Sequence, residues 1–180
     1  VDVVLIAGDL FDQFNPPNDA TELFYTTLQR LSKGGERLVI ALAGNHDSPE
    51  RIQAPAPLAR ASGIVLCGLP QTEIAPVAMP NGTRSSLTAP GFASFNVTGY
   101  SYPLRLLLTP YANEFRLRTF LGLQDTEEQM RELLRKHWAE LAATYCDKQG
   151  VNVLMTHLFM MTQGEPTPEE PEGEKPILHI

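Results

Sequence analysis

Residues 38–47 read LVIALAGNHD, and the chemistry changes abruptly at one glycine. Leu38 to Ala43 is an unbroken apolar run, as in a strand buried on both faces. Gly44 ends it, and Asn45, His46 and Asp47 follow at once with an amide, an imidazole and a carboxylate. Open α/β sheets bind ligands at the carboxyl ends of their strands, which is where this cluster falls. The same construction occurs twice more. Val1 to Ala7 (VDVVLIA) leads into Gly8-Asp9-Leu10-Phe11-Asp12, and Val151 to Thr156 (VNVLMT) leads into His157. Three strands each deliver an oxygen or nitrogen donor from their ends.

Working outward, Asp19-Ala-Thr-Glu22 has the form of a capping box with Asp19 as N-cap. It predicts a helix over residues 20–32 that buries Leu23, Phe24, Thr27, Leu28 and Leu31, stopped by Gly34-Gly35. With the strand at 37–43 this makes a βαβ unit and a parallel pair. Beyond Asp47 a short helix is expected over 49–61, broken by Pro55 and Pro57, then a short apolar run at 64–67. From Glu73 to Pro110, apolar pieces at 74–79, 92–97 and 104–109 are separated by Asn81-Gly82, Pro90-Gly91 and Gly99, which predicts an antiparallel meander. A helix follows over 126–149, with Met130, Leu133, Leu134, Trp138, Leu141 and Tyr145 as its apolar stripe. Residues 163–176 form an acidic Pro/Glu-rich stretch expected to be a mobile loop, and 177–180 begin another strand. No internal repeat is visible, and the whole of 1–180 reads as one domain.

The composition, 43% hydrophobic and 19% charged, is that of an ordinary soluble globular chain. No apolar run approaches the ~20 residues of a membrane helix. Two distant cysteines, Cys67 and Cys146, exclude a disulfide framework and a cysteine metal site, and point to a reducing compartment. The net charge of −7 argues against a broad basic patch of the kind that grips nucleic acid, without deciding the matter alone. Much of it comes from five glutamates against one lysine in 163–176. A nucleic-acid substrate would therefore need metal ions or a partner chain to supply positive charge. The chain opens at Val1 inside an apparent strand, without an initiator Met, and is expected to be a fragment.

Each candidate site residue has a plainer reading. Gly-Asp after a strand is a common turn, and a single histidine is more often a satisfied, partly buried residue than a ligand. Turn chemistry accounts for Asn45 but not for His46. Taken together at three strand ends, Asp9, Asn45-His46-Asp47 and His157 argue for a metal site. Asp12 could hydrogen-bond a ligand group or only solvate its loop. His137 reads as a helix-surface residue, His179 as structural, and Asp125-Thr-Glu-Glu128 as a helix start. There is no GxxxxGK[ST] or GxSxG motif, and no serine or cysteine has a base beside it.

Gly8-Asp9, Gly44-Asn45-His46-Asp47 and the strand-end His157 together resemble the calcineurin-like metallophosphoesterase superfamily. The wider pattern GDLFD…LAGNHDSPER…TPYANEFRLRTFLG is similar to the SbcD family of nuclease subunits, across nearly the whole chain. The resemblance implies an α/β/β/α sandwich, and an expectation follows about the chain's extent. Its start would fall after a DxH motif and its end before a GHxH motif, leaving the fold truncated at both ends and the isolated fragment inactive. The resemblance also implies two divalent ions, expected to be Mn(II). Asp9 would bridge them, Asn45 and His157 would each ligate one, His46 would act as catalytic acid and Asp47 would orient His46. Carboxylate, amide oxygen and imidazole without thiolate suit such an octahedral ion. Two ions can clamp a phosphodiester and activate the attacking water, and an unligated His46 can protonate the leaving oxygen.

The activity implied is that of a DNA nuclease, exonucleolytic on duplex ends and endonucleolytic on single strands or hairpins. It belongs to repair and recombination in the cytoplasm, beside an SMC-like ATPase of the SbcC type, with a homodimer compatible and no membrane. Two other readings share these motifs. One is a phosphoesterase for small phosphodiesters, nucleotides or phosphoproteins; the other is a non-catalytic scaffold of the same fold.

Overall fold

The computed structural model describes residues 1–112, 127–161 and 177–179. Alternation along one strand explains how the layers form. In β2 (Leu38–Leu42) every residue is buried. Leu38, Ile40 and Leu42 point one way, into a cluster with Phe95, Leu106, Leu108 and Met155. Val39, Ala41 and the following Ala43 point the other way, among Leu28, Ile52 and Phe11. A strand apolar on both faces must be covered on both, here by a second sheet and by helices.

The first sheet is parallel, with β2 between β1 (Val3–Ala7) and β3 (Ile64–Cys67). Its outer face carries α1 (Asn18–Leu31), α2 (Pro49–Gln53) and α3 (Ala56–Arg60). The second sheet runs β4 (Arg84–Ala89), β5 (Phe92–Asn96), β6 (Leu104–Thr109), β7 (Val151–Thr156). It is antiparallel up to β6, whereas β6 and β7 are parallel. Between those two in sequence lies α4 (Glu127–Tyr145). Its Trp138, Leu141 and Tyr145 pack on Phe92 and Leu107, with the Tyr145 ring stacked on Phe92 at 4.5 Å. Helices, sheet, sheet and helix give the expected α/β/β/α order. A short parallel pair, β8 (Phe159–Met161) and β9 (Ile177–His179), completes the described elements.

Several expectations need correction. The apolar run at 1–7 predicts a buried strand, but among the described residues β1 pairs with β2 alone and its residues are half-buried or exposed. Helix α1 starts at Asn18 with Pro17 as N-cap, and no side chain caps it. Pro17 supplies its carbonyl to Thr21 instead, through both the backbone N–H and the hydroxyl. Leu23 is 67% exposed and Thr27 is exposed; the buried face runs through Phe24, Leu28 and Leu31. Residues 74–79 form no strand beyond one bridge, Ala78 to Arg84. Ile74, Val77 and Met79 are buried between the sheets, but Pro76 and Pro80 remove ladder donors. The first meander strand is instead the polar β4, which bulges between Ser85 and Leu87. His137 is not a free surface residue: it lies against Gly91, and burial lowers its pKa below 6.5.

Both cysteines are free, and burial pushes the Cys67 thiol up to about 12, which leaves it unreactive as a thiolate. Among the described residues no helix is long and apolar enough to cross a membrane. The acidic stretch at 163–176 lies outside the described residues, as do 113–116 of the PY-x-NE-x-R segment and the side chain of His179.

Candidate metal centre

All the candidate donors sit just beyond the carboxyl ends of strands, and two glycines let them converge. After β1, Gly8 takes φ +91° and Asp9 takes φ +47°. The left-handed region is rare for a residue with a side chain and costs on the order of 1–3 kcal/mol, so the surroundings must hold Asp9 there. A Cβ on Gly8 would collide with the imidazole of His157, and one on Gly44 with the backbone nitrogen and Oδ1 of Asp9. The three strand ends are therefore closer than any larger residue permits.

The donors meet at His157. Its Nε2 lies 3.0 Å from Asn45 Oδ1 and 3.3 Å from Asp9 Oδ1. Its Nδ1 lies 2.8 Å from the carbonyl of Ala7. A carbonyl can only accept, so Nδ1 carries the proton, and this backbone bond fixes the ring's tautomer and orientation. The Nε2 lone pair then faces Asp9 Oδ1 and Asn45 Oδ1, an arrangement that a cation held among the three atoms would satisfy. Carboxylate, amide oxygen and imidazole form a donor set that suits a hard or borderline divalent cation, so the residues present fit a metal. Among the described residues no three His, Cys, Asp or Glu side chains gather in one place; the third donor here is the amide of Asn45.

His46 stands beside this group without joining it. It is exposed, and its Nδ1 bonds the backbone carbonyl of Asp12 at 2.9 Å. By the same logic its Nε2 is left for the cleft. That cleft, about 380 Å³, is lined by Asp9, Asn45, His46, Tyr111, Thr156, His157, Leu158 and Phe159. Asp47 is fully buried. Its Oδ2 accepts N–H bonds from Leu10 at 3.0 Å and Gly44 at 2.7 Å, and its Oδ1 accepts one from Phe11 at 2.8 Å.

The structure thus brings Asp9, Asn45, His46 and His157 to one cleft, sets Asp47 beneath it, and keeps His137 away on α4. Asp12 takes part through its main chain rather than its carboxylate. Sequence reasoning missed Tyr111, whose ring lies 6.4 Å from that of His157 and whose N–H bonds the carbonyl of Ala43 at 2.9 Å. That bond ties the end of β6 to the end of β2, across the two sheets. The available signal was position, since Tyr111 follows closely on a strand just as Asp9 and His157 do. Leu158 and Phe159 gave no comparable signal, because apolar residues beside a site read as packing.

A strand-end aspartate in the left-handed region, an Asn-His pair after glycine and a carbonyl-anchored histidine thus line one cleft between two facing sheets. The calcineurin-like phosphoesterase family model matches residues 1–159, and the chain belongs to that family. Among individual proteins, it is 33% identical over 157 residues to a subunit of the nuclease SbcCD from Bacillus subtilis, covering 84% of this chain and 38% of that protein. The protein of the same name from Rhodobacter capsulatus is 41% identical over 69 residues, 38% of this chain and 17% of that protein. "DNA double-strand break repair protein Mre11" of Sulfurisphaera tokodaii is 40% identical over 57 residues, 32% of this chain and 14% of that protein. The chain thus spans well under half the length of these relatives.

Proposed function

We propose that this chain is the core of a metal-dependent phosphodiesterase whose substrate is DNA. The observation that carries the reading is the convergence of Asn45 Oδ1 and Asp9 Oδ1 on His157 Nε2 at 3.0 and 3.3 Å, with an exposed His46 at the same cleft. Asp9, Asn45 and His157 would hold two divalent ions, Mn(II) being our assignment. When bound, such ions supply positive charge for the phosphate and activation of the attacking water.

The remaining chemistry belongs to the side chains. His46 keeps its Nδ1 proton on the Asp12 carbonyl, so its Nε2 faces the cleft in a fixed orientation. Protonated at Nε2, the ring can give that proton to the leaving sugar oxygen as the ester bond breaks. His157, anchored through Nδ1 to Ala7, presents only Nε2 to the cleft. Tyr111 flanks His157 and restricts the cleft on that side.

The likeness to proteins named as nuclease subunits and as a double-strand-break repair protein favours DNA over small esters and supports a role in repair; we place that role, with recombination, in the cytoplasm. An SMC-like ATPase partner of the SbcC type fits the same likeness, and so does assembly as a homodimer. The net charge of −7 gives the chain no electrostatic grip of its own on DNA, so metals or a partner would supply the positive charge. The test is Mn(II)-dependent cleavage of linear duplex DNA by the full-length protein, beside hydrolysis of a small chromogenic phosphodiester. Digestion from DNA ends is expected. Hydrolysis of the small ester alone would leave the phosphoesterase assignment and remove the nuclease.

A further inference from the structure

We infer that Asp47 is a positioning residue for Asp9, acting as a buried clasp on the loop that follows β1 rather than as a partner of the His46 ring. The inference rests on the metal-site reading above and adds a residue that determines whether that site forms.

The geometry is specific. The Asp47 carboxylate is fully buried, and a buried carboxylate is tolerated only where donors surround it. Three backbone N–H groups do so here. Gly44 lies three residues away, whereas Leu10 and Phe11 lie 37 and 36 residues away in sequence. One carboxylate therefore joins the end of β2 to the end of β1. The two long-range donors immediately follow Asp9, whose φ of +47° needs outside support.

The same loop continues to Asp12, whose carbonyl receives the His46 Nδ1–H. The clasp thus fixes Asp9 directly and reaches His46 through the main chain. An amide at position 47 keeps the shape but not the chemistry. It offers one acceptor oxygen, and its NH₂ group would face at least one N–H, leaving that donor unpaired.

The test uses the full-length protein. In metal-free wild type, amide hydrogen exchange is measured at Leu10, Phe11 and Gly44; in wild type, Asp47→Asn, His46→Asn and Leu106→Ala, Mn(II) affinity is measured by calorimetry. Leu106 is buried between the sheets, so its truncation controls for lost stability. Protected amides at all three positions are expected in wild type. Asp47→Asn should weaken Mn(II) binding roughly 10- to 100-fold, as loss of an outer-shell partner does, and speed exchange at Leu10 and Phe11. His46→Asn and Leu106→Ala should leave Mn(II) affinity within a factor of about two, being remote from the ligands in chemistry or in space.

Unprotected Leu10 and Phe11 amides in wild type would overturn the clasp, whether or not the variant folds. A folded Asp47→Asn protein that keeps wild-type Mn(II) affinity and loses only turnover would also overturn it, and would return Asp47 to the His46 ring. An affinity loss matched by Leu106→Ala would reduce Asp47 to general stability. Wild type that takes no Mn(II) would overturn the metal reading and the inference with it, which separates the two failures.

Discussion

Strands β1 and β2 are neighbours in one parallel sheet, paired residue for residue from Val3–Leu38 to Ala7–Leu42, yet they hold their site residues in opposite ways. Every residue of β2 is buried, so the loop it feeds starts from a fixed platform. Among the described residues β1 pairs with β2 alone, and its Leu5 is 39% exposed. Its loop nevertheless carries the more demanding group, an aspartate in the left-handed region. A buried strand can place a side chain by itself, whereas an aspartate held at φ +47° needs a tether. The buried Asp47 carboxylate, delivered by the β2 loop, supplies it.

The comparison is broken most severely at the ligands. Asp9→Ala should remove both metal and turnover, exceeding the ~100-fold that loss of an outer-shell partner produces; metal content and DNA cleavage measured on one preparation check this. Gly44→Ala comes next, because its new Cβ would meet the backbone and carboxylate of Asp9. We expect weaker metal binding together with a stability loss of about 1–3 kcal/mol from overpacking, read by calorimetry and by denaturant melts.

The platform itself is tested by paired truncations. Ile40→Ala, at a fully buried position between the sheets, should cost about 2–5 kcal/mol. Leu5→Ala on β1 should cost under ~1.5 kcal/mol, in line with its partial burial. Equal losses would remove the contrast between the strands. The smallest effect is expected far from the cleft. Burial lowers the pKa of His137 in the folded chain, so below about 6.5 the unfolded chain binds more protons. Stability is then full above that pH and declines as pH falls through it. His137→Gln should flatten this acid limb without altering metal affinity, as melts at stepped pH would show.

Much of the fold and site is legible in the sequence because it follows from residues that have no alternative place. An apolar run that is buried on both faces, as Leu38 to Ala43 is, forces a layer on each side, and the stripe from Met130 to Tyr145 supplies one of the outer layers. The donor types after Gly8, Gly44 and Thr156 mark the candidate site by their chemistry, and the structure brings them to one cleft. What escapes has no side-chain signature. Strand β4 reads RSSLTA, because its residues are half-buried or exposed and need not be apolar. The apolar residues at 74–79 report burial between the sheets, while Pro76 and Pro80 deny them a ladder. Two of the partners of Asp47 are backbone N–H groups 36 and 37 residues distant, and a sequence records no partner for an N–H. The bond of Asp12 to His46 is hidden for the same reason, since it uses a carbonyl that every residue possesses.

The most direct test of the central claim is to measure bound Mn(II) and turnover side by side for full-length wild type and His46→Asn. His46 bonds the Asp12 carbonyl and stands apart from the three donors. The account therefore predicts unchanged metal content with turnover lowered roughly 10²–10⁴-fold, the range for loss of a general acid. Loss of metal from the His46 variant would contradict it, making His46 a ligand and leaving the cleft without its proposed acid.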